Sequence, residues 1–548
     1  MTRGRLTVAV LGAVAIVAAA GLTAIGMAGR ASPTPLGPPH FVEETTNAGL
    51  DLTYDGPLPY FTGGGIAVFD CDGDGRPDAY VAGGANRAGL YHNDSAIGGA
   101  LRFRAIPDAA TDLDAVTGAY PVDIDGDGIV DLAVLRVGEN VLLRGLGSCR
   151  FERANERWSV PGGKEATMAF AATWEGAAKL PTLAFGNYVD PSATDPQHLC
   201  SDNQLVRPAS SGTGYGAPIA LTPGYCALSM IFADWDRSGR RDLRISNDQH
   251  YYIDGEEQLW RMDPGVAPRL YTADEGWVRV NVEGMGIASY DLTGDGYPEV
   301  FLTSQGENRL QTLTSGPGEP RYGDIGLKRG VNADRPFAGG DPLPSTAWHP
   351  QFDDVNNDGL VDLFISKGNV RQQEGFAIKD PSNLLLGQAD GTFKESADAA
   401  GILSYDLGRG AALADFNLDG LLDLVEVNLG TPPRAWRNTG AGDATSAPAA
   451  HWLEVRPHQP GPNVDAIGAW LEVKIGDATI RRELTVGGGH AGGQLGWIHV
   501  GLGPASEADL RVLWPDAVTG PWMHVQADQF LDLDRASGIA RPWTPSAP

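Results

Sequence analysis

The chain is poor in positive charge, in cysteine and in any sustained helical period. Lysine and arginine number 41 against 69 acids, giving a net charge of −28 over 548 residues. Nucleic acid and anionic membrane surfaces repel such a chain and are excluded as partners. Only four cysteines occur, and none is accompanied by a His/Asn constellation, so thiol-protease chemistry has no support. Long apolar runs are missing too, with one exception. Leu6 to Met27 carries no charge, follows Arg3 and Arg5, and is closed by Arg30. A signal-peptide core spans ~7–15 residues and a membrane helix ~20. Residues 1–30 therefore read as a hydrophobic helix, either a cleaved signal peptide or a retained anchor. Either way the remainder is extracytoplasmic, membrane-anchored or secreted. The Pro-rich stretch 31–40 reads as a stiff tether.

What is present is glycine, 73 residues, and an apolar share of 42%. The first implies many turns and the second real cores; the length implies two or three domains. One motif recurs: "DCDGDGRPD" from Asp70, "DIDGDGIVD" from Asp123, "DWDRSGRRD" from Asp234, "DLTGDGYPE" from Asp291, "DVNNDGLVD" from Asp354 and "DFNLDGLLD" from Asp415. The gap between the second and third copies is about double the others. It holds a copy that has lost the motif's aspartates, "ATWEGAAKLPTLAFGN". Seven units result, six with an intact loop. Each is followed by short β-rich runs ended by turn residues, and a repeat of this period indicates a solenoid or propeller. The final unit lacks its aromatic-led last strand. "FVEETTNAGL" (41–50) matches "FKESADAAGI" (393–402), so an N-terminal strand is expected to close the ring and remove an exposed edge.

In such a loop the side chains at positions 1, 3 and 5 converge, glycine at 6 permits the bend, and a carbonyl at 7 and an acid at 9 complete an oxygen cage. Hard oxygen donors without His or Cys select Ca²⁺. An EF-hand is excluded, because position 12 is Val81, Val134, Ile245, Leu302, Ile365 and Glu426, and only the last fits. The expected ligands are Asp70, Asp72, Asp74, Arg76 (carbonyl) and Asp78 in the first unit. The second uses Asp123, Asp125, Asp127, Ile129 (carbonyl) and Asp131. The fourth uses Asp234, Asp236, Ser238, Arg240 (carbonyl) and Asp242, and is weaker because a hydroxyl replaces a carboxylate. The fifth uses Asp291, Thr293, Asp295, Tyr297 (carbonyl) and Glu299. The sixth uses Asp354, Asn356, Asp358, Leu360 (carbonyl) and Asp362; the seventh, Asp415, Asn417, Asp419, Leu421 (carbonyl) and Asp423. Up to six Ca²⁺ are expected. Twenty of the acids lie in these positions, and without them the net charge would be −8. The acidity is mostly ligand inventory.

An even cysteine count in an exported chain suggests disulfides. Cys200 and Cys226 flank a Gly/Ser/Pro-rich loop, and Cys71 with Cys149 fits the repeat map, although spacing alone does not fix the connectivity. The stapled insert around Cys200–Cys226, beside the metal-free third unit and carrying Tyr215 and Tyr225, is a candidate partner-contact loop.

The repeats resemble FG-GAP/VCBS repeats over 41–438. That resemblance implies an integrin α-like seven-bladed β-propeller with calcium loops. After a linker at 439–450, residues 451–540 alternate strongly and contain "NVDAIGAWLEVKIG", "RRELTVGGGHAGGQ", "WIHVGLG" and "ADLRVLWPD". They resemble the ASPIC/UnbV domain, with departures at Ala466, His490, Gly493 and Val500, and read as a small β-sandwich-like unit ahead of a tail at 541–548. "GGGHAGG" lacks the ending of a phosphate loop and reads as a tight β connection with His490 at a rim. The combination is similar to the cartilage acidic protein family in its bacterial form.

The expected fold is all-β: hydrophobic helix, propeller, sandwich. The expected function is a calcium-binding adhesion or binding module for an extracellular protein or glycan, not an enzyme. Metal-bound aspartates stay ionised and are not free for acid/base work. The alternative is an extracellular carbohydrate-active enzyme with its site in the propeller channel.

Overall fold

The computed structural model describes residues 35–194, 199–248, 253–441 and 450–546. The N-terminal hydrophobic segment lies outside them. Among the described residues no helix is long and apolar enough to cross a membrane.

Seven four-stranded antiparallel sheets occupy the described residues between Pro39 and Ala441. Their first strands are Ile66–Phe69, Val116–Val122, Ala166–Thr173, Ala227–Ala233, Gly284–Tyr290, Ala347–Asp353 and Gly408–Ala414. Each contacts the next in sequence, and the last contacts the first, so the sheets form a circle around a common axis. These strands are buried almost throughout, because both faces of every sheet pack on a neighbouring sheet. This explains why they read as near-continuous apolar runs rather than clean alternation. Cores between successive sheets are aliphatic and aromatic, such as Tyr120, Phe170 and Phe185 between the second and third.

The circle is closed by Pro39–Glu43, which pairs antiparallel with Thr431–Ala441 in the seventh sheet. The aromatic-led segments are only half strand. Phe151–Arg153 and Phe393–Glu395 each lead into a single helical turn, Asn155–Trp158 and Ala397–Ala400. Those turns stop at Ser159 and Gly401, both in the left-handed region. The tether is shorter than its composition suggests, since the Leu36 N–H donates to Asp358 at 2.8 Å.

The third unit departs from the sequence reading. Residues 203–221 are not an insert. Asn203–Val206 and Ile219–Leu221 are the outer strands of the third sheet. Tyr215, expected at a contact surface, is 5% exposed and packs with Trp158 and Val160. The polar loop reads as an insert because its strands are short and separated by Gly, Ser and Pro. Disulfides join Cys200 to Cys226 and Cys71 to Cys149, with Cα separations of 4.7 and 4.6 Å.

The C-terminal unit is two four-stranded sheets. One orders Ile498–Gly503, His451–His458, Gln529–Asp534 and Ile539–Trp543; the other Ala478–Glu483, Trp470–Ile475, Glu507–Leu513 and Met523–Gln526. Leu453, Val455, Leu471, Val473, Leu510, Val512, Leu531 and Leu533 form the core between them. The last strand runs into the predicted tail, and the Ser546 carbonyl accepts from Arg76 at 2.7 Å.

Candidate functional site

All six acidic loops join the first strand of a sheet to the second, so all open on one face of the circle. Their geometry is repetitive. The first acid accepts the N–H of the sixth-position glycine in every loop: Asp70 from Gly75, Asp123 from Gly128, Asp234 from Gly239, Asp291 from Gly296, Asp354 from Gly359 and Asp415 from Gly420, at 2.7 to 3.0 Å. Those glycines have φ between +82° and +94°, which other residues rarely adopt. The fifth-position oxygen accepts the N–H of position 7, which turns that residue's backbone: Asp74 from Arg76, Asp127 from Ile129, Asp295 from Tyr297, Asp358 from Leu360 and Asp419 from Leu421. Ser238 does so from Arg240 at a longer 3.4 Å.

The ninth acid begins the second strand and divides the loops into two kinds. Asp78, Asp131, Asp362 and Asp423 each accept two backbone N–H groups, one per oxygen, from loop position 2 and from the third strand. Asp242 accepts one backbone N–H and four side-chain donors, and Glu299 accepts two backbone N–H groups on one oxygen and two hydroxyls on the other.

The donor set fits a hard cation. One oxygen each of Asp70, Asp72 and Asp78 lie within 4.8 Å of one another, as do those of Asp123, Asp125 and Asp127. Such clusters suit oxygen ligation at ~2.3–2.6 Å. Asp125 Oδ1, Asp291 Oδ1 and Asn417 Oδ1 are buried without a hydrogen-bond partner, which is costly unless something positive meets them. Burial pushes the Asp78 and Asp123 carboxyls up to about 7 and Asp131 to about 8; burial and the neighbouring Asp358 push Asp354 to about 8. Asp415 and Asp423 are raised well above the carboxylate range by burial and by other acids. The backbone N–H groups these acids accept, with His92 beside Asp78 and His499 beside Asp354, favour the ionised form but do not offset burial.

The face bearing the loops is covered by the C-terminal unit, which sequence reasoning did not place. Trp497 Nε1 donates to the Gly75 carbonyl, and Trp543 lies against Gly75. Pro462 sits on Gly126, Trp452 on Gly420 and Gly501 on Asp354. Arg237 stacks on Trp470 at 3.9 Å, and Arg481 reaches Asp291. His499 bonds Asn357 at 2.6 Å. The third unit, whose loop lacks the aspartates, is met by Ile467, which joins the cluster containing Trp174 and Leu180.

From this unit residues 484–497 descend into the axis. The Val68 and Ala119 N–H groups donate to the Gly493 and Ala491 carbonyls, and that of Ala172 to Val486. Gly488 and Gly489 donate to Met230 and Ile287. His349 of the sixth sheet accepts from the His490 N–H, and Gln494 donates to the Leu413 carbonyl of the seventh. All seven first strands are thus engaged. His490 is not at a rim: it is fully buried against Trp348, and burial holds its imidazole neutral, down at about 3. The GGGHAGG segment is glycine-rich because backbones meet there. A Cβ on Gly492 would lie 2.1 Å from the Ile66 carbonyl oxygen, and one on Gly118 would lie 1.9 Å from that of Ala491. Gly492 has no left-handed φ, so space alone requires glycine. Gly492→Ala is expected to cost about 1–3 kcal/mol by overpacking. Denaturant unfolding measures it, and an unchanged midpoint would mean that the segment does not sit in the axis.

A chamber of about 250 Å³ remains between this segment and the covering unit, lined in part by Tyr290, Asp353, Asp465, Arg482 and Glu483. Its acids are largely committed: Asp353 is paired with Arg482, and Glu483 accepts the Asp234 N–H.

Two family profiles match the chain: FG-GAP-like repeat over residues 70–134 and 354–426, and ASPIC and UnbV over 459–540. The chain carries both kinds of module. It is 27% identical over 161 residues to cartilage acidic protein 1 of Mus musculus, a match covering 29% of this chain and 23% of that protein. Among solved structures, BBS1N in complex with ARL6DN aligns with a TM-score of 0.41 at 9% identity, covering 74% of this chain and 97% of that one. An Agrocybe aegerita protein that recognises non-reducing terminal N-acetylglucosamine aligns with a TM-score of 0.29 at 17% identity, covering 66% and 74%.

Proposed function

We propose that this is an exported, calcium-binding, seven-bladed propeller that serves as a binding or adhesion module for an extracellular protein or glycan. The seven sheets are its blades. Ca²⁺ neutralises the acidic loops and stiffens the face on which the C-terminal unit rests. One observation carries the choice of binding surface: that face is already covered, so the opposite face is the free one.

The opposite face bears the connections between second and third strands and between successive blades. Three of these lie together beside the sixth and seventh blades and expose Leu343, Ile378, Leu403 and Tyr405, 36 to 48% accessible. They are tied to one another: the Ile378 N–H donates to Asp341, Tyr405 packs on Gly339, and Lys379 lies 5.9 Å from the Tyr405 ring. An apolar cluster rimmed by charge is the usual mark of a contact site. A catalytic site in the channel is the weaker reading: residues 484–497 occupy the axis, and in the chamber left beside them Asp353 is paired with Arg482 and Glu483 accepts the Asp234 N–H.

Protein and glycan arrays probed with the full extracytoplasmic chain test this. Binding is expected in calcium and is expected to be lost in Ile378→Asp, with the melting temperature unchanged. Binding that survives Ile378→Asp would move the contact elsewhere; no binding on either array would remove the adhesion reading.

A further inference from the structure

We infer that the six acidic loops divide into four cation sites, in blades 1, 2, 6 and 7, and two loops, in blades 4 and 5, whose charge is met by arginine side chains instead. This rests on the calcium reading above and sharpens it from up to six ions to four.

The division follows from what surrounds the ninth acid. In blades 1, 2, 6 and 7 that carboxylate accepts one backbone N–H on each oxygen. Each oxygen keeps a second lone pair, and together the pairs offer a cation an edge. In blade 4 the Asp242 carboxylate is saturated. Arg240 grips it through Nε at 2.9 Å and Nη2 at 3.1 Å. Trp235 Nε1 and Tyr271 Oη each donate at 2.8 Å, and the Met262 N–H at 2.9 Å. Five donors fill both oxygens, and the guanidinium already brings the compensating charge in the bidentate geometry that Arg favours.

Blade 5 reaches the same end by another route. Glu299 accepts from the Leu292 and Thr293 N–H groups on one oxygen, and from the Thr312 and Thr293 hydroxyls on the other. Thr293 therefore turns its hydroxyl toward Glu299 rather than toward a shared centre. Arg481, from the C-terminal unit, spans the loop and donates through Nη1 to Asp291 Oδ2 and to the Gly294 carbonyl, both at 3.1 Å. Asp291 Oδ1 stays unpartnered, but the positive charge is on its own carboxylate.

Blades 1 and 2 also have basic side chains nearby, and the contrast is informative: in blade 1 Arg76 reaches Asp74 at 3.4 Å and His92 reaches Asp72 at 3.1 Å, but neither bonds Asp78. In blade 2 Arg144 bonds the outer oxygens of Asp125 and Asp127, leaving Asp125 Oδ1 buried and unpartnered and Asp131 untouched. In blade 7 Asn417 spends its amide N–H on the Gly99 carbonyl and leaves its oxygen buried without a donor. Both orphaned oxygens belong to expected ligands. The FG-GAP-like profile covers the loops of blades 1, 2, 6 and 7 and neither of the other two.

Calcium content separates the possibilities. The purified chain is stripped with EDTA, dialysed into CaCl₂ and assayed by elemental analysis, and four ions per chain are expected. Asp131→Asn and Asp423→Asn should each lower the count by one, whereas Asp242→Asn and Asp291→Asn should leave it at four. Five or six ions in the parent chain would overturn the division, as would a loss of one ion in either Asp242→Asn or Asp291→Asn. The parent count stands even if a variant fails to fold. A chain that binds no calcium at all would instead overturn the calcium reading itself, with the division falling as a consequence.

Discussion

Removing calcium is expected to lower the stability of the folded protein by on the order of 10 kcal/mol. The reasoning is mass action. A ligand held only by the folded state stabilises it by RT ln(1 + [L]/Kd), about 2.7 kcal/mol per site at a hundredfold excess over Kd, and several sites act together. Urea unfolding followed by tryptophan fluorescence, with EDTA and with millimolar calcium, measures the difference. Trp452, Trp497 and Trp543 lie at the junction between the loops and the covering unit and report on it directly. Coincident curves would end the calcium reading.

The pH dependence gives this test a second arm. Without metal, burial raises Asp123 to about 7 and Asp131 to about 8. Between the ordinary carboxyl value, about 4, and those values the folded state binds more protons than the unfolded chain. The stability of the chelated protein is therefore expected to fall as pH rises from about 4 to 8. Calcium needs the ionised carboxylates, so its contribution grows over the same interval. The gap between the two unfolding curves should be small at pH 5 and wide at pH 8, and a gap that narrows with rising pH would contradict the assignment of these acids as ligands.

The second large effect is expected from Cys71→Ser/Cys149→Ser. The bond closes a loop of 78 residues, and chain entropy assigns about 4 kcal/mol to such a link. Its position adds to this. Cys71 is the second residue of the first acidic loop, and its N–H donates to Asp78 at 2.9 Å, while the Cys149 N–H donates to the Cys71 carbonyl at 3.0 Å. The bridge thus fixes the first acidic turn to the second sheet. The double variant should unfold at lower denaturant and take up its first-blade calcium less tightly. A midpoint equal to the parent's would mean that the backbone contacts alone hold the turn.

Much of this architecture is legible in the sequence because it rests on local chemistry. The D-x-D-x-D-G spacing specifies a turn whose first carboxylate caps the sixth N–H, and six copies reveal the period. The strand that closes the circle is visible for the same reason: Phe41, Glu43 and Gly49 repeat Phe393, Glu395 and Gly401. What was not legible depends on partners distant in the chain. Gly65, Gly118 and Gly492 stand out as glycines, but nothing local says that the first two abut Ala491 and the third Ile66. His490 reads as a rim residue on a tight β connection, whereas its surroundings, Trp348 and His349, lie some 140 residues away. The third unit misleads because a degenerate sheet with short outer strands has the composition of a surface loop. The arginines are a partial exception. Arg240 is inside its own loop and could have been weighed against Asp242, but Arg481 belongs to a different unit and carries no such signal.

The segment at 484–497 also imposes an order of events. During synthesis every sheet of the circle emerges before the residues that bond to their inner edges. Until then, Ala119, Ala172 and Ile287 have no acceptor for their inward amides, and the opening they surround is wet. Ring closure waits similarly for Thr431–Ala441 to meet a strand made at the start. Assembly of the whole therefore hinges on residues 484–497, and a product lacking them would leave the circle without its hub.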